Sequence, residues 1–391
     1  MNMAAVMDVG VDEPKSPTGI DREESTHLVH EDSVRSDEDA VSPKHGPGPR
    51  RPLPVVATTS QVVDEGRPAP VSPLNIVNHL GLQMHVEMID FNDLEFGKFL
   101  GAGAEGQVWA GWYLETPVAV KKTDSMHEVE MFLSVGQHDN VVGWRGLCKK
   151  GSDMYIVLEY CPRGTLDVMV HQTMSARWDL RKVLQIVKGI ARGMFHLHTR
   201  RPPILHRDIK PANIFVSHGL VMKIGDFGMS RPVLPLDEES SPTASHSELT
   251  RQLTPGVIGT PTYTAPEVLD ERLQSKEFKT EQALKIDVYS YGVTLWEVMM
   301  RERAHGSLQF YEIVTRWVTN PEEMKLPPLP IPRDDMEYNK KVIRSLSELI
   351  GQCTSIDPDN RPDFRTILRR LNQLHKELGR EMNMVTSQDN R

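Results

Sequence analysis

Cysteine is scarce in this chain. Its 391 residues hold three, Cys148, Cys161 and Cys353. An odd number at such wide spacing fits neither a disulfide framework nor a zinc-site pattern, and points to a reducing compartment, the cytoplasm or the nucleus. Long apolar runs are missing as well. The longest, Val288 to Met300, carries Glu297 and reads as a buried globular helix rather than a membrane span. Met1 to Gly10 has neither the basic nor the apolar region of a secretory signal. Positive charge is in deficit, with 45 basic against 54 acidic residues and a net charge of -9. That balance argues against nucleic acid or anionic membrane as a partner through general electrostatics.

What is present divides unevenly along the chain. Residues 1–90 form an acidic, Ser/Pro-rich region, poor in aromatics. Such a stretch buries too little apolar surface to offset its ordering entropy, so it is expected to stay largely disordered. Ser16-Pro17, Ser42-Pro43 and Ser72-Pro73 read first as ordinary tail composition and second as proline-directed phosphorylation sites. Within this region Leu74 to Met84 is an apolar patch expected to form a helix. From Phe91 short β-type runs begin: Leu94 to Phe96, Gln107 to Trp109, Val118 to Lys121 and Met154 to Leu158. A helix is expected over Met126 to Val135. Beyond Gly164 helical spacing takes over. Leu180, Val183, Leu184, Val187, Ile190, Ala191, Met194 and Phe195 make one apolar stripe, which must stop before Pro202-Pro203. Val288 to Met300 is apolar almost all round, with Asp287 at its start, and further helices follow Tyr338. The pattern describes an α+β chain with a small antiparallel β-sheet lobe carrying one helix, residues 91–163. A larger, mainly helical lobe covers 164–375, and 376–391 is a tail.

The chemistry concentrates in His206-Arg207-Asp208-Ile209-Lys210-Pro211-Ala212-Asn213. A carboxylate able to take a hydroxyl proton lies two residues from a lysine able to hold a phosphate. Five residues beyond that carboxylate is a carboxamide of the kind that ligates Mg²⁺. Together they suit phosphoryl transfer to an alcohol.

Other elements lie in order around this loop. Gly101-Ala102-Gly103-Ala104-Glu105-Gly106 is followed by β-type residues instead of a helix, which favours a glycine flap over triphosphate oxygens to a dinucleotide-binding turn. Lys121 ends the next strand and can hold α- and β-phosphates if a carboxylate orients it. Glu128 and Glu130 are the candidates, and Glu128 is preferred because Phe132, one turn on, then faces the interior. Asp226-Phe227-Gly228 follows a strand over Leu220 to Ile224, so its carboxylate can reach a nucleotide-bound metal. The stretch from Asp226 to Ala265-Pro266-Glu267 is too long for a plain connection and is rich in Ser and Thr. His196, His198 and His206 are read as structural histidines, not zinc ligands. Pro327-Pro328-Leu329-Pro330 is read as a rigid spacer.

In this order the motifs resemble the eukaryotic protein kinase family over roughly Phe91 to Leu374. Lys210 and Thr260 look like its serine/threonine type. Asp287 to Gly292 with Trp296-Glu297, and Cys353 before Arg361-Pro362, look like its tyrosine-kinase-like branch. The resemblance implies a two-lobed kinase fold and ATP and Mg²⁺ as co-substrate and cofactor. It also implies protein hydroxyls as substrates, and an upstream kinase or a second copy of the chain as activator. Asp208 would be the base and Lys210 would neutralise the transferring phosphoryl group. Asn213 and Asp226 would hold the metal, and Lys121, oriented by Glu128, would hold the nucleotide phosphates under Gly101, Ala102, Gly103 and Gly106. Val108, Ala119 and Phe215 would sandwich the adenine, with Leu158 as gatekeeper and the backbone at Glu159 and Cys161 as hinge. Glu267 would pair with Arg361. Arg207 would await a phosphate on the 226–267 segment, at Thr254 or Thr250. Three features depart from the usual pattern: a connection of only seven positions from Lys121 to Glu128, Glu105 at the flap tip, and Thr354 where tryptophan often follows the cysteine.

Overall fold

Alternating side chains and β-branched residues make the first half of the domain a sheet, and helical stripes make the second half a bundle. The structure, a computed structural model, describes residues 74–77, 83–103, 106–172, 179–233, 260–269, 280–306, 308–333 and 335–389. The Ser-Pro sites, Ala104, Glu105, Thr250 and Thr254 lie outside the described residues.

The patch at Leu74 to Met84 is not helical at its described residues. It contributes two strands, β1 (Leu74–Val77) and β2 (Gln83–Val86), paired antiparallel with Leu74 opposite Val86. Gln83-Met84-His85-Val86 alternates polar and apolar with a period of two, and Val86 is fully buried while Gln83 and His85 are exposed. A short strand β3 (Met88–Ile89) follows. Next come β4 (Leu94–Gly103), β5 (Gly106–Tyr113) and β6 (Thr116–Thr123), then helix α1 (Met126–Val135). β7 (Trp144–Lys150) and β8 (Asp153–Glu159) complete a six-stranded sheet in the order β3-β7-β8-β6-β5-β4. The sheet is not wholly antiparallel as expected, because β3 joins β7 in parallel.

The helical lobe begins with α2 (Leu166–His171) and α3 (Leu180–His198). Asp179 caps α3 by accepting the Arg181 N–H, and Thr199 closes it before the prolines. Short strands β9 (Ile204–Leu205), β10 (Ile214–Val216), β11 (Met222–Ile224) and β12 (Arg231–Pro232) form two small antiparallel pairs around the central loop. α4 (Pro266–Leu269) and α5 (Thr280–Met300) follow. α5 starts two turns before Asp287, because Gln282-Ala283-Leu284-Lys285 are strong helix formers and Ala283 is fully buried. Its later residues bury Val288, Tyr289, Tyr291, Val293, Leu295 and Trp296 on all sides.

Three more helices close the lobe: α6 (Phe310–Thr319), α7 (Glu337–Cys353) and α8 (Phe364–Asp389). α8 continues through 376–389, the stretch read from sequence as a tail. Thr354 returns its hydroxyl to Ile350 O at 2.9 Å and closes α7. The proline segment is tied into the lobe: Pro327 O accepts Trp296 Nε1 at 2.8 Å, and Leu329 is buried. Among the described residues no helix is long and apolar enough to cross a membrane.

Candidate active site

Asp287, inside α5, builds the loop that carries the reactive groups. Its Oδ2 accepts the His206 N–H and its Oδ1 the Arg207 N–H, both at 2.8 Å. His198 reaches the same carboxylate at 2.8 Å. Burial alone would raise the Asp287 carboxyl, yet the hydrogen bonds and positive field of His198 and His206 hold it below its ordinary value. Two backbone bonds to one buried carboxylate impose the bend at Arg207, whose φ is 68°.

Beyond that bend three side chains converge. Lys210 Nζ and Asn213 Nδ2 each donate to Asp208 Oδ2 at 2.7 Å, and Asn213 Nδ2 also donates to Asp208 O at 2.9 Å. Lys210 Nζ donates as well to Thr260 Oγ1 at 2.8 Å. Asp208 Oδ1 is buried and has no hydrogen-bond partner among the described residues. A carboxylate fixed through one oxygen and unpaired at the other is poised to accept one proton from a bound group.

Across the cleft, Lys121 Nζ lies 2.7 Å from Glu128 Oε1 and 3.2 Å from Asp226 Oδ1. Only Asp124 and Ser125 separate β6 from α1, so the helix starts just two residues before Glu128. Ser125 caps it through the Glu128 N–H, which places the glutamate in the first turn, facing the strand. Thr123 adds a longer hydroxyl contact to Glu128 Oε2 at 3.4 Å. Burial pushes the Glu128 carboxyl above its ordinary value, and the Lys121 ammonium offsets only part of this. Glu130 is half-buried and is not the residue ion-paired with Lys121.

The glycine stretch is a hairpin flap, with Gly101 opposite Val108, Ala102 opposite Gln107 and Gly103 opposite Gly106. Gly106 has φ +127°, and a Cβ there would meet Lys122 O at 2.0 Å, so no other residue fits. Below the flap, Ala119 pairs with both Ala110 and Leu158, and Val108 with Lys121. Val108, Ala119, Leu158 and Phe215 are all half-buried. Glu159 Oε2 lies 2.8 Å from Lys223 Nζ and accepts the Gly143 N–H at 3.1 Å, while the Glu159 N–H donates to Gly143 O at 2.8 Å. Cys161 is buried, and burial, with Glu159 second, pushes its thiol up to about 12.

The glycine hairpin, the Lys121–Glu128 ion pair, Asp226 beside Lys121 and the Asp208–Lys210–Asn213 group thus follow the order of the sequence motifs. A family model described as protein tyrosine and serine/threonine kinase matches residues 94–371. The chain belongs to the protein kinase family.

Kinases from distant organisms are similar to it. The probable serine/threonine-protein kinase drkC of Dictyostelium discoideum is 29% identical over 298 residues, covering 73% of this chain and 35% of drkC. The mitogen-activated protein kinase kinase kinase dlk-1 of Caenorhabditis briggsae is 32% identical over 286 residues, 71% of this chain and 28% of dlk-1. The probable serine/threonine-protein kinase SIS8 of Arabidopsis thaliana is 29% identical over 297 residues, 73% and 25%. The chain spans a quarter to about a third of the length of these three relatives.

The fold also assembles features of this kinase domain that motif reading missed. Trp144, Phe132, Phe227 and His206 form a column, with ring centroids 5.9, 4.9 and 5.3 Å apart, standing on Asp287 through the His206 N–H. Phe227 inside its motif and Phe132 one turn from Glu128 were the available signals. A second cluster was marked in the sequence only at Arg207, not at its neighbours Arg231 and His127. Arg207 Nε donates to Met229 O at 2.7 Å, while Arg231 Nη1 lies 2.6 Å from His127 Nε2. His127 Nε2 also meets Ser230 O at 2.8 Å. Burial, with nearby Arg231 second, pushes the Arg207 guanidinium down to about 10. The three histidines of the sequence reading have partners in the fold: His196 with Val135 O at 2.8 Å, His198 with Asp287 at 2.8 Å, and His206 with Gly225 O at 3.1 Å.

Proposed function

We propose that the chain is a protein serine/threonine kinase of the tyrosine-kinase-like branch, transferring the γ-phosphoryl group of ATP to protein hydroxyls. The observation that carries this is Lys210, held between Asp208 Oδ2 and Thr260 Oγ1 at 2.7 and 2.8 Å. A lysine there puts positive charge beside the proton acceptor and ties it to the segment leading into Ala265-Pro266-Glu267. The relatives drkC and SIS8, both named as probable serine/threonine-protein kinases, agree with that class.

In this reading the substrate hydroxyl gives its proton to Asp208 Oδ1. Its oxygen bonds the γ-phosphorus as the bridging P–O bond to ADP breaks, and Lys210 neutralises charge on the phosphoryl oxygens. Lys121, held by Glu128, orients the α- and β-phosphates beneath Gly101 to Gly106. Val108, Ala119 and Phe215 clasp the adenine, Leu158 lies at its back, and the Glu159–Cys161 backbone reads its edge. Asn213 spends its amide nitrogen on Asp208, which leaves its amide oxygen as a hard donor, and the Gly225 N–H donates to Asn213 O at 3.1 Å beside Asp226, so the two residues would together suit Mg²⁺. Mg²⁺ bound there would neutralise phosphate charge.

Arg207, Arg231 and His127 are the groups that a phosphate on Thr250 or Thr254 would engage, added by an upstream kinase or a second copy of the chain. Because His127 is on α1 beside Glu128, such a phosphate would tie the helix to the catalytic loop. The cytoplasm, or the nucleus, is the compartment that the three free, buried cysteines favour.

The test is phosphate incorporation from Mg-ATP into a generic serine/threonine substrate by purified protein. Asp208→Asn is expected to lower turnover on the order of 10²–10⁴-fold. Equal incorporation by the variant and the parent would overturn the reading.

A further inference from the structure

α3 buries one face and turns another to solvent. Arg181, Gln185, Lys188 and Arg192 recur at helical steps, so they share one stripe of it. α8 packs along α3 and brings His375 to the same place. Residues of both helices line a groove of about 450 Å³, and none of the lining side chains is apolar.

Charge in this groove is one-sided. Among the described residues its lining holds one carboxylate, Asp179, and Arg181 occupies it. Asp179 Oδ1 accepts the Arg181 backbone N–H at 3.0 Å, and Oδ2 accepts the Nε–H at 3.1 Å. Lys188, Arg192 and His375 make no ion pair among the described residues. Lys188 is half-buried, and burial, then Arg192, holds its ammonium below its ordinary value. Burial, then Lys188 and Arg192, does the same to the His375 imidazole. Like charges gathered and partly desolvated cost stability unless an anion relieves them. The chain has 54 acidic residues against 45 basic, yet only Asp179 reaches this groove.

We propose that the groove between α3 and α8 recruits a partner protein through an acidic peptide segment. Arg181 and Arg192 stand about 16 Å apart along the helix, at about 1.5 Å per residue. An extended peptide of about five residues covers that distance. Cations in a row suit carboxylates repeated along a peptide better than one compact headgroup. The lining offers a bilayer no apolar side chain to bury, and it offers a base no Phe, Tyr or Trp ring to stack on.

The test is fluorescence polarisation of the full chain with a labelled peptide of about six glutamates, long enough to span the stripe. The glutamate peptide is expected to bind, less tightly as salt is raised, and a glutamine peptide of equal length is not. Lys188→Glu combined with Arg192→Glu should weaken binding roughly 10-fold or more. Arg145→Glu combined with Lys149→Glu makes the same change of charge at exposed residues of β7 and should leave binding unchanged. Lys188→Met keeps most of the stem without the charge, so it should weaken binding roughly 2- to 5-fold without lowering the thermal midpoint. That variant decides the matter if the double reversal does not fold. Equal affinity for the glutamine peptide, or equal loss in the β7 variant, would overturn the proposal. So would tighter binding to phosphatidylserine vesicles or to an oligonucleotide than to the peptide. No nucleotide enters the assay, so a failure of phosphotransfer leaves this result standing.

Discussion

Arg361 and Glu267 face each other as a buried two-pronged pair, Nη1 to Oε1 at 2.6 Å and Nη2 to Oε2 at 2.8 Å. Arg361 is 1% exposed and also donates to Ser355 O, Lys285 O and Ile356 O. The pair joins the end of the Thr260–Leu269 segment to the loop before α8, so substrate-side geometry is anchored in the helical core.

Removing one partner leaves an uncompensated buried charge. Arg361→Met is therefore expected to cost about 3–5 kcal/mol of folding stability. Combining it with Glu267→Met should recover part of that loss. Urea unfolding of the two variants measures it, and equal loss in both would deny that the orphaned charge is the cause.

Glu128 gives a pH prediction with two opposite signs. Its carboxyl lies above the ordinary value because of burial, so in the window between the two values the folded protein binds more protons than the unfolded one. Lowering pH through that window adds folding stability from this group while it removes the charge that pairs with Lys121. KM for ATP should accordingly climb at a pH above the ordinary carboxylate range. Glu128→Gln should start from a raised KM and lack this rise. Steady-state kinetics across the acid limb, set beside thermal midpoints at each pH, checks both signs.

Thr260 is tied to Lys210 by one charge-assisted hydrogen bond. Thr260→Val keeps the shape and deletes the acceptor, and is expected to lower kcat/KM roughly 10- to 100-fold, the value of one bond to a charged group. ATP binding measured without peptide should hold constant. A variant that lost nucleotide affinity instead would place Thr260 in a different role.

Arg231 belongs to the cluster of Arg207 and His127, and its own side chain is exposed. Arg231→Ala should cut the gain in activity on phosphorylation by roughly 10-fold or more, since a phosphate would lose one charged partner. Activity before phosphorylation should change little. Assays of the protein before and after phosphatase treatment separate the two states.

Local chemistry determined much of this protein from its sequence alone. A short run from His206 to Asn213 must keep base, lysine and carboxamide together whatever surrounds it. A glycine stretch followed by β-type residues favours a hairpin over a strand-to-helix turn, and Gly101 to Gly103 indeed pair with Gly106 to Val108. The stripe from Leu180 to Phe195 announced α3, and the prolines announced its end. Tertiary structure decided what depends on partners far apart in the chain. Leu74–Val77 and Gln83–Val86 became strands because Val86 found a place inside the core, where burial outweighs local preference. The start of α5 moved to Thr280, where Ala283 could be buried. Glu128 prevailed over Glu130 because the two-residue link from β6 turns the first helical turn toward Lys121. Arg207, Arg231 and His127 gather only because β12 returns past α1, bringing together residues about a hundred positions apart. Motifs report chemistry whose atoms are neighbours in sequence, and only packing brings the remaining groups within a few ångströms.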